Sequence, residues 1–147
     1  MLEPWAREQL HEIPAGSLIQ KQTRPRCDLF NGGLILNLRG INMNAGQAAD
    51  EMVSVRMFIQ SNLLITVRRK KVFAIDTIRQ SAVAQNAPPS PAKFIEALVS
   101  RLTRRVQEHV ESIDAQAEFF EIDLEDKETP MPHELLEIRR SVIRLRR

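Results

Sequence analysis

Thr23-Arg24-Pro25-Arg26, Asn31-Gly32-Gly33, Asn37-Leu38-Arg39-Gly40-Ile41-Asn42-Met43-Asn44, Asp50-Glu51-Met52-Val53-Ser54-Val55-Arg56 and Val67-Arg68-Arg69 follow one another between Thr23 and Arg69. Apolar alternations run between these polar landmarks. Leu34, Leu36 and Leu38 alternate with Asn37 and Arg39. Val53, Val55, Met57 and Ile59 alternate with Ser54, Arg56 and Gln60, with Phe58 breaking the polar side. Leu63, Ile65 and Val67 alternate with Thr66 and Arg68. A period of two places one apolar face on each strand, which predicts a half-buried antiparallel sheet.

Helical periods flank the sheet. Pro4–His11 predicts a short amphipathic helix with Trp5 on its apolar side. Ile13-Pro14-Ala15-Gly16 is expected to break it, and Ser17 to begin a second short piece through Lys21. Gln60-Ser61-Asn62 predicts a tight hairpin. Beyond Lys71, Ile75, Ile78 and Val83 suggest a helix capped near Asp76. Asn86–Ser90 punctuates the chain, and Ser90-Pro91 offers a capping hydroxyl followed by proline at the first turn. Ile95, Leu98, Leu102, Val106, Val110, Ile113, Ala117, Phe120 and Leu124 then recur at spacings of three and four. Such a helix extends on the order of 45 Å, so it must project or lie against another long element. Pro130 and Pro132 forbid its continuation. Leu135, Ile138, Val142 and Leu145 restart the period on a second helix, packed back as a hairpin. The stripe still runs at Arg147 with no stop signal, so a chain cut short of its natural end is expected. The fold class is α/β (α+β), an antiparallel-rich mixed sheet with helices on its faces, over residues 1–88. A long helical hairpin over 89–147 follows.

Bulk properties narrow the function. Apolar residues make up 43% of the 147, a globular composition able to bury one ordinary core. A net charge of +2 and a pI of about 9.0 imply no nucleic acid unless the charge is concentrated. Lone Cys27 permits no internal disulfide and no Cys-rich zinc site, and reads as a small buried hydrophobe in a reducing compartment. Glu3, Arg7 and Glu8 interrupt the N-terminal segment, which lacks the form of a signal peptide. No apolar run approaches the ~20 residues that cross a bilayer. The chain as given is expected to be soluble.

Candidate sites mostly have structural readings. Arg68-Arg69-Lys70-Lys71 alternates between strand faces without interleaved aromatics, which favours a solvated strand end or subunit contact over nucleic acid. Glu118, Glu121, Asp123, Glu125, Asp126 and Glu128 lack calcium-loop spacing, although weak concentration of cations stays open. His133-Glu134-Leu135-Leu136-Glu137 has glutamate where a zinc-hydrolase helix needs its second histidine. His11, His109 and His133 fall on different elements. The glycines near Asn31 and Gly40 are followed by strands, so they read as turn residues rather than a nucleotide loop. Asn42 and Asn44 are expected to bond their own backbone, and Arg39, Arg56 and Arg68 to pair with Asp28, Asp50 or Glu51. No nucleophilic triad can be assembled, and no enzyme is expected.

The ordered landmarks resemble the cytoplasmic domain of CorA-type divalent-cation transporters, in particular the zinc-transporting ZntB branch. The resemblance covers Thr23–Lys71. Arg139–Arg147 resembles the family's next helix, and Pro91–Leu124 agrees only in pattern. The positions carrying it are Arg24, Pro25, Arg26, Arg39, Gly40, Asn42, Asn44, Asp50, Met52, Val53, Arg56, Arg68 and Arg69, as structural or subunit-contact residues. It implies the cytoplasmic domain of an inner-membrane zinc transporter, a homopentamer in its full-length form. No firmly bound cofactor and no nucleic acid are implied. Zinc would be the transported cation, passing along a central funnel to membrane helices beyond Arg147. A magnesium- or cobalt-carrying relative, and a soluble oligomeric interaction module that binds an acidic partner through Arg68–Lys71, are the alternatives.

Overall fold

The computed structural model describes residues 2–21, 24–61, 63–125 and 133–146. Its sheet has the order β1-β2-β3-β4, formed by β1 (Arg26–Phe30), β2 (Gly33–Gly40), β3 (Val53–Gln60) and β4 (Leu63–Arg68). All three pairings are antiparallel. Asn31 and Gly32, with φ of 46° and 70°, close the β1–β2 hairpin; positive φ at both central positions matches the twist of the flanking strands. Of the β3–β4 turn expected at Gln60-Ser61-Asn62, Asn62 lies outside the described residues.

Cross-strand partners share a face, so the register assigns every side chain. Leu36 opposes Met57, and Met57 opposes Thr66. On this face α3 (Phe73–Val83) and α4 (Pro91–Glu125) cover the sheet. Val53, Val55, Met57 and Ile59 pack there against Ala74, Ile78, Leu98 and Leu102. On the other face Ile35, Phe58 and Val67 meet Leu18 of α2 (Glu12–Ile19). The two central strands, β2 and β3, are therefore not half-buried. β3 is covered on both sides, and Arg56, read as solvent-facing from its alternation, is only 1% exposed. The apolar side of β4 also points opposite to that of β3. Ile65 and Val67 face α2, while Thr66 and Arg68 share the α3 face.

Other local expectations are corrected. Trp5 of α1 (Leu2–Gln9) is 41% exposed and Ala6 is the residue buried. Pro14 does not break the chain. It falls in the first turn of α2, where N–H groups lack intrahelical partners anyway, and the helix continues with Ala15 N–H donating to the His11 carbonyl. Cys27 is exposed. It lies on edge strand β1, on the face of Leu36, but the covering helices stop short of β1 and leave Leu29 86% exposed. Asp76 does not cap α3, because the N-cap is Val72, without a side-chain cap.

Gly40 lets α4 approach closely: a Cβ there would lie 2.6 Å from Leu102 Cδ2. The Ser90 hydroxyl accepts from the Lys93 N–H at 3.2 Å, as expected of a cap. The 35 residues of α4 span about 52 Å. Leu98 and Leu102 are core, whereas Val110 is 47% exposed, so the helix anchors at one end and projects. α5 (His133–Leu145) turns Ser141 inward and leaves Val142 48% exposed, a shift from the expected stripe.

Arg68 ties β4 to α3 through Asp76, at 2.7 Å, with Lys71 at 3.8 Å. The hydrogen bond from Arg68 holds the Asp76 carboxyl below its ordinary pKa; desolvation opposes it, and the charges of Arg68, Lys71 and Arg79 reinforce it. A carboxyl depressed by folding adds stability that is fully present above its unfolded pKa of about 3.9. That contribution is lost as pH falls through the folded value. Asp76→Asn should cost about 1 kcal/mol at pH 7 in urea denaturation and flatten the fall in stability below about pH 4. Parallel acid limbs for the two proteins would contradict this.

Candidate functional site

The landmark residues gather in two places. The first lies beneath α2. Arg26, Asn37 and Arg56 occupy one cross-strand row on adjacent strands. Arg26 donates to Ser17 Oγ at 2.7 Å and pairs with Asp28 at 3.2 Å. Arg56 donates to the Leu18 carbonyl at 3.5 Å and Arg69 to the Ile19 carbonyl at 3.4 Å. Both guanidiniums thus serve the carboxyl end of α2, where the helix dipole favours a cation. Burial, then the charge of Arg69, lowers the Arg56 pKa. Among the described residues Arg56 meets no carboxylate, and its Nε and both amide atoms of Asn37 are buried without partners. Beside this row a cleft of about 660 Å³ opens between α2 and β1, lined by Ser17, Arg26, Phe30 and Ile35 among others.

The second place is the 41–52 connection. Asn42 is 2% exposed. Its Oδ1 accepts from the Asn44 backbone and side chain at 3.1 and 2.7 Å, the local bonding expected of loop asparagines. Asn42 Nδ2 and Lys70 Nζ both donate to Gln47 Oε1 at 2.8 Å. Asn44 Nδ2 reaches the Lys71 carbonyl at 3.1 Å. Asp50 does not pair across the sheet. Its Oδ2 takes Ser141 Oγ at 2.8 Å and Arg144 Nε at 2.9 Å, both from α5.

The remaining landmarks scatter. Arg24 and Pro25 are exposed ahead of β1, Arg39 is half-buried opposite Ser54, Met52 is half-buried, and Val53 belongs to the core. Asp28 pairs with Arg26, Glu51 with Lys70 and Asp76 with Arg68, so none of the three expected arginine partnerships forms. Asp28 takes a cation of its own strand, while Glu51 and Asp76 take cations at and just beyond the end of β4. Asn37, Ser17, Gln47, Ser141 and Arg144 were not singled out as site residues from the sequence. For Ser141 and Arg144 a signal exists, since a spacing of three puts them on one helix face.

Among the described residues no three His, Cys, Asp or Glu side chains converge where they could hold a metal ion. His11 Nδ1 accepts from the Ile13 N–H at 3.4 Å at the start of α2, and His133 lies 3.9 Å from Glu137 on the surface of α5. Of the acidic stretch, Asp126 and Glu128 lie outside the described residues. No helix among the described residues is long and apolar enough to cross a membrane.

The profile of the family described as CorA-like Mg2+ transporter protein matches residues 4–147. The chain belongs to this CorA-like family. The Zinc transport protein ZntB of Pectobacterium carotovorum subsp. carotovorum is 34% identical over 131 residues, covering 89% of this chain and 40% of the relative. The Divalent cation transporter CmaX of Pseudomonas aeruginosa is 29% identical over 150 residues, covering 99% and 45%. The solved structure of full-length CmaX superposes with a TM-score of 0.89 at 31% identity, over 99% of this chain and 46% of that one. The ZntB cytoplasmic domain from Vibrio parahaemolyticus gives 0.83 at 21% identity, over 99% and 59%, and shows the same fold. This CorA-like chain thus spans less than half the length of the curated relatives named here. Its α/β body and long helix match the ZntB cytoplasmic-domain fold.

The Arg56 guanidinium is costly where it lies. A buried charge with an unpaired donor and no counter-ion is often replaced by an apolar side chain at no cost. Arg56→Met should therefore leave stability unchanged or raise it by about 1–4 kcal/mol, while Arg56→Ala should lose about 2–5 kcal/mol to the cavity. Urea midpoints decide the matter, and equal losses in both variants would contradict the reading.

Proposed function

We propose that this chain is the cytoplasmic part of a ZntB-like divalent-cation transporter of a bacterial inner membrane, carrying zinc. In this reading copies of the chain assemble as a homopentamer around a central funnel. A hydrated or partly hydrated cation passes along it, with no covalent chemistry. The projecting α4 and the α5 that follows it brace neighbouring copies and pass movement to membrane helices that follow in sequence. The match of the CorA-like family over residues 4–147 carries the proposal. The likeness to full-length CmaX and to the ZntB cytoplasmic domain supports it. The relatives are named as transporters, which fits a function other than catalysis.

The choice of zinc rests on the ZntB relatives, and a magnesium or cobalt carrier is the nearest alternative. An interaction module that captures an acidic partner through Arg68–Lys71 is disfavoured by a specific observation. Arg68 is held by Asp76, Arg69 by the Ile19 carbonyl, Lys70 by Glu51 and Gln47, and Lys71 by Asp76 and the Phe73 ring. The basic run is used inside the molecule.

The complete protein in liposomes should carry zinc faster than empty vesicles do. Magnesium or cobalt flux without zinc flux would select the alternative carrier, and flux of none of the three would contradict the transport reading.

A further inference from the structure

α5 buries no residue of its own. Among the described residues, the hydrogen bond and ion pair that join it to the rest of the molecule both end on one atom, Asp50 Oδ2. The two sides of this contact differ sharply. The Arg144 side chain is 44% exposed, whereas the Asp50 side chain is 3% exposed. Asp50 Oδ1 is buried with no partner among the described residues. The carboxylate sits on a fixed mount, because Asn42, Asn44, Gln47, Lys70 and Glu51 bind the 41–52 connection to itself and to the end of β4. Any freedom at this contact therefore belongs to α5.

We propose that Asp50, with Ser141 and Arg144, is the catch of a strap: α5 seats on the α/β body through this carboxylate and leaves it as a unit when the catch opens. Buried charge makes the contact all-or-none. With α5 seated and the guanidinium gone, Asp50 would be an unpaired ion out of water, which is strongly unfavourable. Lifting α5 returns the carboxylate to water and also solvates the orphaned Oδ1. That orphan already weakens the seated state, since a buried acceptor without a donor forfeits its hydration. Leu136, Val142 and Ile143 of α5 lie on its outer side already, so release is opposed on the apolar side by the half-buried Leu135, Ile138 and Leu145. The strap does not depend on which ion a family member carries.

Amide hydrogen exchange of the 147-residue chain tests the proposal. Arg144→Ala should speed exchange across α5 by about tenfold or more, with β2 and β3 unchanged. Alanine is the better helix former, so faster exchange would not reflect lost helix propensity. Asp50→Asn should free the same helix from the other side of the contact. Arg140→Ala loses only the pair with Glu137 on its own helix and should change exchange less than about twofold. Unchanged α5 exchange in both Arg144→Ala and Asp50→Asn would overturn the strap. So would loss of protection in β2 and β3 in step with α5 in Arg144→Ala, which would make Asp50 a brace of the sheet instead.

Discussion

Coverage of β2 and β3 on both faces is the constraint on which this structure depends. Ile35 and Phe58 must meet α2 while Leu36 and Met57 meet α3 and α4. A slip of one residue would turn Arg56 into the Met57 core and lift the apolar set out of it, so the pairing has essentially one register. From that register follow the close approach of α4 over Gly40 and the placing of Arg56 against the end of α2. The burial of Val53 and the position of Asp50 just before it follow as well.

Charge then joins elements that apolar packing places in separate clusters or leaves outside both. The turn after β4 sends successive basic side chains to α3, to the end of α2 and to the 41–52 connection. Most of these pairs are only half-buried, where single ion pairs contribute modestly. Their value lies in orientation: three segments that meet no common core are indexed to one strand end. The same logic operates between Asp50 and α5, where burial of one partner makes the contact more decisive.

Much of the fold was legible in the sequence. The alternations of β2, β3 and β4 and the Ser90-Pro91 start of α4 appear where periodicity and capping chemistry put them. The paired faces were not legible. A period of two cannot tell a solvated face from one covered by a second helix, and α2 was hidden behind Pro14, whose helix-breaking reputation fails in a first turn. The inward turn of Ser141 was lost for a related reason. A hydroxyl occupies an apolar stripe only because a carboxylate distant in sequence waits beneath it. Arginine partners were misjudged throughout, since long side chains choose by proximity after folding rather than by strand order.

Membership of the CorA-like family gives these features a setting, with a body of fixed register, a long projecting helix and a second helix held by one carboxylate. The central claim is that this body serves a membrane-spanning part that follows it in sequence. Reading the coding sequence beyond the Arg147 codon tests that claim most directly. Two further apolar runs of ~20 residues, each long enough to cross a bilayer, are expected there. A stop codon at or just after Arg147 would contradict it.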